Sequence, residues 1–183
     1  MKKNLIGSLI GAILLFGWQS LSWTVLGIHD KAYLYTPSQD TLLSSISNTL
    51  KSDGQYMLPR VPDNASHEDM EKLGEQMAGK PWAVVSFHQS YKYDMVMPII
   101  RGFFIALVCV ILVCWVVQRL SKRTFGAVFT TVLTFGMICF LFVWYNQHNW
   151  FQTSWDVITG ELIDNIAGWG LCGAWLGWWY SRR

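Results

Sequence analysis

The sequence predicts an all-α membrane bundle of four transmembrane helices, with a small α/β extracytoplasmic insertion between the first two. Three observations lead there. Of 183 residues, 52% are hydrophobic and only 14% charged, where a soluble domain carries about a quarter charged. The apolar residues gather in four stretches, 4–27, 96–117, 125–145 and 158–180, each near the roughly 20 residues needed to cross a bilayer. The basic residues between those stretches are distributed asymmetrically.

The first stretch opens "MKKNLIGSLIGAILLF", a basic start before an apolar core, as in a secretory signal. The apolar run continues through Trp18, Leu21, Trp23, Val25 and Leu26 with no small-residue cleavage site and no following cysteine, so an uncleaved helix is expected. Gly7 and Gly11 stand at G-x-x-x-G spacing. Small residues so placed let helix backbones approach closely in lipid.

Residues 28–95 carry six Lys/Arg against nine Asp/Glu. Leu42, Leu43, Ile46 and Leu50 recur at helical spacing, which predicts an amphipathic helix over 38–52. "GQYMLP" is a short strand candidate, and "PWAVVSFH" is β-branched and aromatic enough for a second. Between them, Ser66 and Asp69 form a capping-box pattern for a helix that Gly79 stops. Two strands pairing under two helices is the expected arrangement.

Topology follows from the charges outside that segment. Lys2 and Lys3 precede the first span, Arg119, Lys122 and Arg123 separate the second and third, and Arg182 and Arg183 follow the fourth. The connection "NQHNWFQTSWD" has no Lys or Arg. The positive-inside rule puts both termini and the 118–124 turn in the cytoplasm, with 28–95 and the last loop outside. Trp18, Trp23, Trp144, Trp150 and Trp155 then form an outer aromatic belt, and Trp115, Trp178 and Trp179 an inner one.

Chemistry-bearing residues are few. Gln19, Arg101, Glu161 and Asp164 fall at similar depth in the outer half of the bundle. Arg101 lies about 8 Å into the second span at 1.5 Å per residue. Charges there are costly and rare, so Arg101 pairing with Asp164 is expected, a guanidinium being able to grip a carboxylate with two hydrogen bonds. Snorkelling of Arg101 and Glu161 to the headgroups is the plainer alternative. His29, His88 and His148 all lie on the outer side but show no ligand spacing, so they rank as weak metal candidates and are expected to be solvated. Cys109, Cys114, Cys139 and Cys172 all fall within spans, which suits packing rather than disulfides or metal. Ala167, Gly170, Gly173 and Gly177 make a small-residue stripe in the last span, for internal packing or self-association. No phosphate-binding loop, C-x-x-C or hydrolase constellation is present, the basic clusters are explained by topology, and no nucleic-acid partner or cofactor is expected.

"GSLIGAILLFGWQSLSWTVLG", "GQYMLP" and "HNWFQTSWDVITGELIDNIAGWGLCGAW" together resemble a family of small bacterial integral membrane proteins. Its members share a tryptophan-rich first helix, a Y-x-L-P strand in an outward loop, an Asn-Trp motif before the last helix and an acid within that helix, which Asp164 matches. The resemblance implies topology and no catalytic residue. It also points to the bacterial inner membrane, with residues 28–95 periplasmic or extracellular.

The function expected from these features is that of a non-enzymatic accessory or assembly subunit of a larger membrane complex, with the bilayer and other membrane subunits or a second copy as partners. The alternatives are a small transporter or channel for an ion or small anion using the outer-leaflet polar cluster, and a membrane enzyme with a metal at its outer face.

Overall fold

The structure, a computed structural model, describes residues 2–182. One compact unit is built from residues 35–93, and the chain on either side of it builds another.

The flanking unit is helical. It contains α1 (Lys2–Thr24), α4 (Val96–Val117), α5 (Phe125–Cys139), a π-helical segment (Phe140–Tyr145), α6 (Asn146–Phe151) and α7 (Trp155–Ser181). Three runs are long and apolar enough to cross a membrane: 2–24, 96–117, and the continuous run 125–151 formed by α5, the π segment and α6. α7 has 27 residues, about 40 Å at 1.5 Å per residue, but with Glu161, Asp164, Asn165 and five glycines it is not among those three.

Several expected boundaries move. α1 stops at Thr24 rather than near 27, because Gly27 turns the chain at φ +64°, a backbone region open to glycine. The third apolar stretch does not end at 145 but runs on through α6, and α7 begins at Trp155 rather than 158. The expected loop after 145 thus shrinks to residues 152–154, with Gln152 left-handed at φ 51°.

α1 packs along α4 and α7, and α7 along α5. α4 and α5, although joined by the 118–124 turn, touch each other far less. The shared core is built from small and β-branched residues, among them Ala12, Val110, Val128, Val132, Cys172 and Leu176. Glycine makes the close approaches possible. A Cβ at Gly11 would stand 2.9 Å from Val110 Cγ1, one at Gly136 2.6 Å from the Trp169 ring, and one at Gly177 3.0 Å from the backbone oxygen of Phe125. At Gly7 a Cβ would stand 2.9 Å from Trp179. The Gly7 carbonyl there accepts from Trp175 Nε1 at 3.0 Å, while Trp179 Nε1 donates to the Lys3 carbonyl at 2.8 Å. In the α7 stripe, Gly173 packs 3.3 Å from Phe129 and Ala167 is half-buried, whereas Gly170 faces open space.

The unit of residues 35–93 contains α2 (Gln39–Thr49), β1 (Gly54–Leu58), α3 (His67–Met77) and β2 (Ala83–Phe87). The strands pair antiparallel, with Tyr56 opposite Val85. Ser66 and Asp69 form the capping box, Ser66 Oγ accepting from the Asp69 amide and the Asp69 carboxylate from the Ser66 amide. The Ser66 amide, and after it the Ser66 hydroxyl, donate to the Asp69 carboxylate and hold that carboxyl below its usual range. The expectation that both helices cover the sheet is corrected. Neither α2 nor α3 buries a residue, and Phe87 is the sole buried side chain in this unit. Eleven-residue helices are too short to form on propensity alone, so caps and the strand pair shape this unit more than a core does.

Candidate functional site

The site grows from one stretch of α7, "GELIDNIAG", residues 160–168. Gly160, Asp164 and Gly168 are spaced by four, so they line one face of the helix. The imidazole of His29 lies over Gly160, where a Cβ would come within 2.9 Å of its Cε1 and Nδ1. Leu15 and the indole of Trp18 lie over Gly168, at 3.0 and 3.3 Å from a Cβ placed there. Between the two glycines, Asp164 receives both rings. Trp18 Nε1 donates to Oδ1 at 3.0 Å, and His29 Nε2 meets Oδ2 at 3.0 Å. The direction of the His29–Asp164 hydrogen bond depends on the histidine tautomer.

Burial makes this arrangement count. The His29 and Asp164 side chains are 3% and 9% exposed, and Trp23 stacks on the imidazole at 4.0 Å and 7°. Hydrogen bonds to an ionised partner contribute about 1.5–3 kcal/mol each. The turn at Gly27 brings His29 back onto the bundle. His29 Nδ1 and Ser22 Oγ are buried without a hydrogen-bond partner among the described residues.

Beside this cluster is a cleft of about 310 Å³. α1 contributes Leu15, Trp18 and Gln19, α4 contributes Gly102, Ile105, Ala106 and Cys109, α7 contributes Glu161, Asp164, Asn165 and Trp169, and the π segment contributes Trp144. Its walls are mostly apolar and aromatic. Glu161 is 7% exposed, and its carboxylate makes no hydrogen bond or ion pair among the described residues. One acid of the pair is fully partnered; the other is not.

The expected Arg101–Asp164 pair does not form. Arg101 is exposed, makes no ion pair among the described residues, and lines a neighbouring apolar groove with Phe104 and Val108, across Ile105 and Cys109 from the cleft. Depth along the helices was not the deciding variable. Gly102, Ile105, Ala106 and Cys109 are the α4 residues at i, i+3, i+4 and i+7 that face the cleft, and Arg101 is rotated off that face. Gln19, Glu161 and Asp164 are brought together, and Arg101 is left out.

Nor is His29 solvated, as the sequence had suggested. His88 is exposed and lies 3.5 Å from Asp53, whose carboxyl is held below its usual range mainly by the Gln89 amide. His148 Nδ1 bonds to the Thr153 carbonyl at 2.7 Å. Among the described residues no three His, Cys, Asp or Glu side chains stand close enough to share a metal ion, and all four cysteines are free.

Sequence reasoning passed over Trp18 as a belt residue and gave Gly160 and Gly168 no role. The signal was available: a glycine four residues before and four after the deepest acid of the last span. Comparison with family models, curated proteins and solved structures finds no match.

Proposed function

We propose that the chain is a non-enzymatic four-span protein of the bacterial inner membrane that binds a small cation in an acid-lined cleft of the outer leaflet, in the manner of a small transporter or ligand-binding subunit. The charge distribution supports α7 as the fourth span, with both termini cytoplasmic and residues 28–95 outside. The observation that carries the functional reading is Glu161. An acid within a span costs about 2.5–3.5 kcal/mol on insertion scales; Asp164 offsets that through two hydrogen bonds, while the Glu161 carboxyl has no hydrogen bond or ion pair among the described residues. Two carboxylates line the cleft and the nearby basic residue, Arg101, is turned away, so the field favours a cation over the anion that an arginine would have suited.

Dicyclohexylcarbodiimide, which modifies carboxyls in apolar surroundings, tests this on the full chain in lipid nanodiscs. Mass spectrometry should find the adduct on Glu161, and Glu161→Gln should abolish it. An unmodified Glu161 would mean a closed, structural acid.

The accessory-subunit reading keeps one observation in its favour. The unit of residues 35–93 has a single buried side chain, and the chain entering and leaving it exposes Tyr33, Leu34, Tyr35, Tyr91 and Tyr93. Exposed aromatic side chains in such number are available for partner or membrane contacts. A native pull-down in mild detergent that returns the chain with stoichiometric membrane subunits would favour it.

A further inference from the structure

We infer that the ligand of this cleft is an organic cation, an ammonium group on an apolar and preferably aromatic body. This deepens the cation-site reading above and rests on it.

The chemistry of the walls selects the ligand. Hard inorganic cations need several oxygen ligands, six to eight for calcium. The cleft offers the Glu161 carboxylate, the amides of Gln19 and Asn165, and Asp164, whose two oxygens are already engaged by Trp18 and His29. Leu15, Ile105 and Ala106 would strip a hydrated ion without replacing its shell. An ammonium on a carbon skeleton needs less. One unpartnered carboxylate neutralises it, apolar walls bury the skeleton, and Trp18, Trp144 and Trp169 all line the cleft, indole being the side chain to which such cations are most strongly drawn. At about 310 Å³ the cleft falls at the small end of ligand pockets, roughly 300–1,000 Å³, which suits a single-ring molecule.

Access fits the same class. The cleft has α4 on one side and Trp144 of the π segment on another, and α4 and α5 touch little. A molecule that partitions into the outer leaflet with its charge at the headgroups would arrive at the level of Glu161.

Benzyltrimethylammonium and its uncharged carbon isostere, neopentylbenzene, separate charge from shape. With the full chain in nanodiscs, benzyltrimethylammonium should slow carbodiimide modification of Glu161 about tenfold at saturation, as expected for an occupied carboxylate. Neopentylbenzene and sodium chloride should not. By titration calorimetry, Glu161→Gln should weaken benzyltrimethylammonium about tenfold or more, a loss of at least one charge-assisted contact. Ala106→Leu, which fills the cleft wall and changes no polar group, should weaken it comparably and serves if the glutamine variant does not fold. Labelling of Glu161 that benzyltrimethylammonium does not slow, equal protection by neopentylbenzene or sodium, or unchanged affinity in either folded variant would overturn the organic-cation inference. The cation site itself would survive those results. Absence of labelling would overturn both.

Discussion

The two units solve the problem of holding a chain together in opposite ways. The helical unit relies on contacts between residues far apart in sequence: Asp164 with His29 and Trp18, Trp175 with Gly7, and Phe125 and Phe129 against Gly177 and Gly173. The unit of residues 35–93 has one strand pair and otherwise relies on near neighbours: Ser66 with Asp69, Arg60 with Asp63, Lys72 with Glu68. Where lipid removes the hydrophobic drive between helices, close backbone approach and buried polar bonds must replace it. Where water is the solvent and little core exists, local capping is what remains. The lesson is that stability in the first unit is concentrated in a few positions, and in the second it is spread thin.

The sharpest way to break that contrast is at Asp164. Asp164→Leu strands the Trp18 and His29 ring nitrogens in a buried site, and breaking such a pair typically costs about 3–5 kcal/mol. Unfolding in mixed micelles should register that loss, and His29→Leu combined with Asp164→Leu should cost less than the two single changes added. Additive costs would show that the two residues act independently.

Next in size is Gly173→Ile. The added side chain would be driven against Phe129, including its backbone oxygen at 3.3 Å from the Cβ, and overpacking of this sort costs about 1–3 kcal/mol. Gly170→Ile, into open space, should leave thermal stability in detergent unchanged. Equal effects at both positions would mean that the stripe is not read by α5.

In the other unit the largest single local loss should come from Ser66→Ala, about 1 kcal/mol for a lost N-cap, read as faster amide exchange over residues 67–70 with no change in α7. Acid should act on the same turn. The folded-state acidity of Asp69 is raised, its carboxyl lying below the usual carboxylate range, so its capping contribution is complete above about pH 4 and is lost as pH falls through the lowered folded pKa. Protection of the first turn of α3 that persists well below that range would contradict the capping role. Smallest of all is Arg101→Leu, which removes no ion pair and should fall within about 0.5 kcal/mol of the parent, where pairing with Asp164 would have cost several times more.

What could be read from the sequence divides along the same line. The Ser66 cap, the two strands, the Gly11 and Gly173 packing positions and three apolar crossings are local patterns, each contained within a dozen or two residues. The identity of Asp164's partners is not local, since His29 is 135 residues away. Counting residues from the membrane edge gave the depths of Arg101 and Asp164 but not their azimuths, and a 100° step around the helix separates a partner from a bystander. His29 was misread for a related reason. Hydropathy ends the first span near Gly27, and only the backbone turn there folds the next residues inward. The unpartnered state of Glu161 has no sequence signature at all, because it is defined by what four separate segments leave empty.

One feature bears on how the protein is made. In the proposed four-span arrangement α7 leaves the ribosome after α1, α4 and α5 and is the poorest of the four candidates for unaided insertion, carrying Glu161 and Asp164 through its outer half. Its rescue is already in place by then. Trp18 and His29 are synthesised well before it, and Gly160 and Gly168 leave α7 bare where those rings must land. In that arrangement the rings around α1 admit α7, and a chain that loses either ring should insert α1, α4 and α5 but leave α7 unclaimed.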